Sequence, residues 1–207
     1  MTSGLFRIEK LENNFYRRNI EVMWYHNFEE IKTFLLSQIP NSASVGIGHS
    51  QTLQHISIME TLLNRGNTVY DKELGKTRAE MKELKRKALL ADYYISGSNA
   101  ISIDGRIVNI DHSGNRVAAL AYGPEKVFIV VGKNKITATL DEALHRAQNT
   151  ASPMNAKRAG YHPPCVAAGR CVDCLSPERV CNIVSIIEGQ PVRGRITLLI
   201  ANEEAGF

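Results

Sequence analysis

Cys165, Cys171, Cys174 and Cys181 place four thiols within 17 residues, at spacings x5, x2 and x6. Gly169 and Pro177 bend the chain between them, and the central C-x2-C sets two sulfurs on one tight turn, so the four can converge on one ion. The set suits a zinc site of four thiolates. Its order also approaches that of plant-type [2Fe–2S] proteins, so zinc and an iron–sulfur cluster both stay open. The alternative is reduced structural cysteine, or a disulfide formed after isolation. In a reducing compartment, clustering favours metal over a disulfide framework. With all four positions filled by protein, such a site serves structure or electron transfer rather than open-site zinc catalysis. His162, three residues before Cys165, is the one histidine placed to replace a thiolate.

A second kind of chemistry is spread over three short stretches. Gly46-Ile47-Gly48-His49-Ser50-Gln51-Thr52-Leu53 offers two glycines with hydroxyl and amide side chains. Such a loop suits a phosphate or carboxylate if its free N–H groups open a helix. It matches neither G-x-G-x-x-G nor the G-K-[ST] phosphate loop, so no nucleotide cofactor is inferred. Ser96-Gly97-Ser98-Asn99-Ala100 is small and polar in the same way. Asn109-Ile110-Asp111-His112-Ser113-Gly114-Asn115-Arg116 gathers a carboxylate, an imidazole, two amides and a guanidinium within eight residues. The planar fork of Arg116 matches a carboxylate or phosphate. Asp111 is the candidate base and Lys135 its candidate electrostatic partner. The competing reading is a tight turn with an ordinary Ser50 cap, a satisfied Asp-His pair and an exposed Lys135.

These groups need a scaffold. Leu5, Ile8, Leu11 and Phe15 share one helical face, and Ile20–Tyr25 reads as a strand. Asn27 with Glu30, Thr77 with Glu80 and Thr139 with Glu142 have capping-box spacing. Short strands are expected over 45–48, 92–95, 126–131 and 195–201. Ser50 caps a helix carrying Leu53, Ile56, Met59, Leu62 and Leu63, which Gly66 ends. Asp104-Gly105 signals a type I′ hairpin between 101 and 110. Alternating helices and near-continuous apolar strands predict an α/β fold with a mostly parallel sheet flanked by helices. Ligands of such sheets sit beyond the strands' carboxyl ends, here the loops after Ile47, Ile95 and Ile110.

A length of 207 residues with 43% hydrophobic content predicts a single domain, 1–207, with a Cys-rich segment at 160–185. The formal charge of +4 is dispersed. Its densest run, Lys82, Lys85, Arg86 and Lys87, lies beside Glu80 and Glu83 as on a solvated helix face. No nucleic-acid partner is expected, since no aromatic residues interleave with the basic ones. No apolar run reaches the roughly 20 residues of a membrane span. Charges at Arg7, Glu9, Lys10, Glu12, Arg17 and Arg18 exclude a secretory core, so a cytoplasmic protein is expected. Phe6, Phe15, Trp24 and Tyr25 could extend an apolar homodimer surface, or pack inside.

Several stretches together resemble the LUD domain proteins associated with lactate utilisation, in their stand-alone bacterial branch. They are Arg17-Arg18-Asn19, Gly48-x-Ser50-x-Thr52-Leu53, Ala88-Leu89-Leu90-Ala91-Asp92-Tyr93, Gly97-x-Asn99-Ala100-Ile101, Gly114-Asn115-Arg116-Val117-Ala118, Val131-Gly132-x-Asn134-Lys135-Ile136 and Asn155-Ala156-Lys157-Arg158. The resemblance implies a fold similar to the ribose-5-phosphate isomerase, glucosamine-6-phosphate deaminase and CoA-transferase group. There a loop like that of Gly48, Ser50 and Thr52 grips phosphate or carboxylate. Neither the glutamate nucleophile of CoA-transferases nor the full acid, base and lysine set of the isomerases has a counterpart here. The expectation is a small carboxylate, phosphate or acyl-CoA-like ligand held by Gly48, His49, Ser50, Thr52, Gly97, Asn99, Asn115 and Arg116. The rivals are an iron–sulfur electron-transfer component with redox partner proteins of organic-acid oxidation, and a non-catalytic ligand sensor.

Overall fold

Val127-Phe128-Ile129-Val130-Val131 has no polar face, so the strand it forms must be covered on both sides. A computed structural model describes residues 2–207, with side chains from Arg7 onward; Leu5 and Phe6 fall outside the described side chains. Six strands form an all-parallel sheet in the order β1-β10-β7-β4-β2-β3. They are β1 (Glu21–Tyr25), β2 (Ser44–Ile47), β3 (Thr68–Tyr70), β4 (Tyr93–Gly97), β7 (Lys126–Gly132) and β10 (Ile196–Ala201). Val127, Ile129 and Val131 pack under α1 (Thr2–Tyr16) and α6 (Asn115–Ala121) through Leu11, Phe15, Ala119 and Leu120. Phe128 and Val130 face α2 (Phe28–Gln38), α3 (Gln51–His55) and α4 (Ile58–Asn64) through Ile31, Leu35, Leu53 and Leu62.

A second sheet was not expected. It runs β8-β5-β6-β9, from β5 (Ala100–Ser102), β6 (Ile107–Asp111), β8 (Ile136–Thr137) and β9 (Ile183–Ile187). The β5–β6 and β6–β9 pairs are antiparallel, and β5–β8 is parallel. Ala100, Val108 and Ile110 pack against Ala143 and Ala147 behind α7 (Leu140–Arg146). After α7 the helix widens through one π turn at Ala147–Ala151 into α8 (Ser152–Arg158). The remaining helices are α5 (Arg78–Lys87) and α9 (Pro164–Ala168).

Local signals set the helix starts. Asn27, Thr77 and Thr139 each accept the amide of Glu30, Glu80 and Glu142, whose carboxylates bond the amide just before the cap. Gly66 takes φ +88 behind Arg65, and its amide bonds Leu63 O. Two expectations need correction. The helix from Ser50 is broken, because Ser57 at φ 48 separates α3 from α4. The hairpin at Asp104-Gly105 forms, but only Gly105 has positive φ, and Ser102 N–H bonds Arg106 O around a three-residue loop. That is a type I turn with a glycine bulge, not type I′, which needs both central residues left-handed. Phe15 is fully buried, and Trp24 and Tyr25 are half-buried against the cores, so Phe15 offers no surface to a partner. Among the described residues no helix is long and apolar enough to cross a membrane.

Candidate functional site

The two sheets meet where neighbouring strands bend together. β4 becomes β5 across Ser98-Asn99, and β7 becomes β8 across Lys133–Lys135. Because β4 pairs with β7 and β5 with β8, the pair turns as a unit. Two arginines brace the turn. Arg146 donates to Asn99 O at 2.5 Å and Asn134 O at 3.0 Å. Arg116 donates from Nη1 to Asn109 Oδ1 (2.7 Å) and Gly97 O (3.3 Å), and from Nη2 to Ile110 O (2.8 Å) and Asn99 Oδ1 (3.0 Å). All four terminal N–H groups of Arg116 are thereby used, so it offers a ligand its charge rather than an open fork.

Above this bend lies a cavity of about 330 Å³ at the carboxyl ends of β2, β4 and β7. It brings together His49, Ser50, Gly97, Asn99, Asp111, Asn115, Arg116 and Lys135. Gly48 and Thr52 sit outside its lining. A Cβ on Gly48 would lie 2.7 Å from Ser96 Oγ and 3.1 Å from the Tyr94 hydroxyl, so glycine here answers to packing. Gly97 does likewise, 2.8 Å from Ser50 Oγ by the same measure. Thr52 is fully buried and accepts from Lys135 Nζ at 3.0 Å.

Ser50 caps α3 by accepting the Leu53 amide at 3.2 Å, which leaves its O–H to donate. Asn99 spends Oδ1 on Arg116 and on the Ile110 amide, which leaves Nδ2 as its donor. Asn115 accepts the Ser113 hydroxyl. Asp111 accepts the amides of His112 (2.9 Å), Arg116 (3.1 Å) and Val117 (3.3 Å), so its carboxylate holds the start of α6. Lys135 is 2% exposed. Burial, and then the charges of Arg146 and Arg116, pull its ammonium down to about 7.

Three cations were missed. Lys72 follows β3, Lys85 lies on α5, and Arg158 ends α8, and all reach the cavity wall. Lys85, expected on a solvated helix face, turns toward the cavity and donates to Ser113 Oγ at 3.2 Å. Lys72 is pulled below the ordinary lysine range by burial and by the charges of Lys85 and Arg158. Arg158 Nη1 lies 2.6 Å from His49 Nε2, while His49 Nδ1 faces Glu73 Oε1 at 3.1 Å. Burial, Lys72 and Arg158 push His49 down to about 4, so at neutral pH it is uncharged, accepting from Arg158 and donating to Glu73. Only the stretch Asn155-Ala156-Lys157-Arg158 carried a signal for one of these cations, since their elements are far apart in sequence.

The four cysteines carry free thiols, with Cys165 buried in α9. Cys171 Sγ accepts the Asp173 amide at 3.4 Å, and Arg179 Nη2 lies 3.5 Å from Cys181 Sγ. Burial, and then the other three cysteines, push the Cys165 thiol up, so all four are within electrostatic reach. Their sulfurs do not close into a trio of mutual 4.8 Å spacing; among the described residues His49, Asp71 and Glu73 do. His162 is largely exposed, 4.0 Å from Glu178.

A family model for the LUD domain matches residues 8–201. Among solved structures, a DUF162 family protein from Deinococcus radiodurans is similar with a TM-score of 0.52 and 17% identity. The likeness covers 95% of this chain and 96% of that one, and it bears on the fold alone. No curated protein matches the chain.

Proposed function

The chain belongs to the LUD domain family, which is associated with lactate utilisation, and from that premise we propose that it binds a small carboxylate or phosphate in the cavity at the strand ends. One observation carries this reading: Lys72, Lys85, Arg116, Lys135 and Arg158 line the cavity against a single carboxylate, Asp111. Asp71 and Glu73 lie nearby but outside the lining, so one carboxylate faces several cations and the cavity keeps an excess of positive charge. Like charges gathered at this density repel one another, and an anion relieves that repulsion. A volume of about 330 Å³ suits a small molecule. Ser50 O–H and Asn99 Nδ2 supply directional donors, Lys72, Lys85 and Arg158 supply charge along the wall, and Arg116 a fixed field from below.

Calorimetric titration with phosphate, lactate and pyruvate tests the reading. At least one is expected to bind, more weakly as salt rises. Ser50→Ala and Lys85→Met, which leave the bracing of the bend intact, are each expected to weaken that binding about tenfold, on the order of 1.4 kcal/mol. Unchanged affinity in both variants refutes the assignment, as does failure of every anion to bind.

We propose, second, that Cys165, Cys171, Cys174 and Cys181 hold a thiophilic metal. The support is four free thiols gathered within 17 residues and an N–H···S bond at Cys171. Donor chemistry fits such an ion; the sulfur spacing fits it only if the segment tightens around it. Zinc would supply a cross-link, and an iron–sulfur cluster one-electron transfer. Purification without oxygen followed by elemental analysis is expected to find one zinc per chain, or iron with labile sulfide and visible absorption. Thiol titration should then find all four cysteines protected. A metal-free chain that takes up neither zinc nor iron, with four reactive thiols, rules the site out.

A further inference from the structure

We propose that the Lys135 amine captures the carbonyl carbon of a small 2-oxo acid as an imine, an inference that rests on the anion-binding reading of the cavity. Lys135 is the buried amine of the cavity wall, and no carboxylate lies within ion-pair distance of it among the described residues. Its one hydrogen-bond partner is the Thr52 hydroxyl, which passes its own proton to Ala205 O at 3.3 Å and so accepts from the lysine. An ammonium here leaves two N–H groups unmet; an amine leaves one, and a lone pair. The nearest charges, Arg146 and Arg116, are positive and fixed to strand-end carbonyls and amides. Desolvation beside another cation is the setting that turns a lysine into a nucleophile. The same excess of cations that attracts a carboxylate would bring a carbonyl adjoining that carboxylate to the amine.

The step conserves atoms and electrons. The nitrogen lone pair attacks the carbonyl carbon as the C=O π pair moves to oxygen, and a proton passes from nitrogen to that oxygen to give a carbinolamine. The hydroxyl then leaves with a second proton as water, and the nitrogen pair forms the C=N bond. Amine and 2-oxo acid thus give imine and one water, with no change of oxidation state.

The experiment incubates the full chain with pyruvate, glyoxylate or acetaldehyde, reduces with borohydride and maps the adducted peptide by mass spectrometry, with thermal protection by the same compounds and by inorganic phosphate measured in parallel. The expected result is a reduced adduct on Lys135 with pyruvate or glyoxylate and none there with acetaldehyde, which lacks the anion. Lys135→Met and the charge-keeping Lys135→Arg should both lose that adduct while each still melts as a folded protein. If pyruvate protects but Lys135 stays unmodified, or adducts fall only on exposed lysines, the capture is refuted and anion binding stands. If no anion protects, the reading beneath it has failed as well.

Discussion

Lys135→Met should make the protein more stable by about 3–5 kcal/mol below pH 7, the largest stabilisation expected of any single change here. The unfolded chain holds a proton on this lysine up to the ordinary 10.5, whereas the folded chain gives it up near 7. Between these values the unfolded state binds more protons, so the stability of the wild type rises with pH. Below pH 7 both states are protonated and the buried charge costs its full amount. The gap between variant and wild type is therefore widest in mild acid, narrows from pH 7 to 10.5, and loses its ionisation part above that. Loss of the Thr52 contact takes back about 1 kcal/mol. Urea denaturation at pH 6 and pH 10 checks this. Equal stability of the two proteins at pH 6 would show that Lys135 is neither dry nor strained.

Arg116→Ala should act in the opposite direction, destabilising by about 3–5 kcal/mol. The guanidinium satisfies Gly97 O, Asn109 Oδ1, Asn99 Oδ1 and Ile110 O at once. Truncation leaves these acceptors competing for whatever water reaches the bend, and Asn109 is fully buried. Arg116→Lys should recover little, because one ammonium cannot reach four acceptors set for a planar fork. The same denaturation experiment decides it: a loss below 1 kcal/mol for Ala would mean that the bend holds without its brace. Because the variant unsettles the scaffold, its loss of ligand affinity would not by itself identify Arg116 as a contact.

What the sequence made legible was local. Asn27, Thr77 and Thr139 announce helix starts because cap and amide are three residues apart, and Val127–Val131 announces a covered strand because no side of it is polar. The loops after β2 and β4 converge because these parallel neighbours finish on the same edge, and the loop after β6 joins them from the second sheet. What stayed hidden depends on register between distant segments. Lys85 looks like its exposed neighbours until α5 is laid beside Ser113. Gly48 and Gly97 resemble ligand-cradling glycines until Ser96 and Ser50 are placed against them. Arg116 resembles a clamp until the carbonyls it holds are brought around it, and the three amides that Asp111 holds show only once α6 is placed. Of the second sheet only the β5–β6 hairpin was legible, from Asp104-Gly105, because β8 has two residues, too few to show a period.

The crossing from one sheet to the other takes two residues at Ser98-Asn99 and three at Lys133–Lys135, and Asn99 and Lys135 both line the cavity. A molecule lodged there leans on both halves of the seam together, as a wedge does in a folded card. Its arrival should stiffen the crease as a whole, so that amide protons of β5 and β8, the strands that run on from Asn99 and Lys135, exchange with solvent more slowly when the hollow is filled.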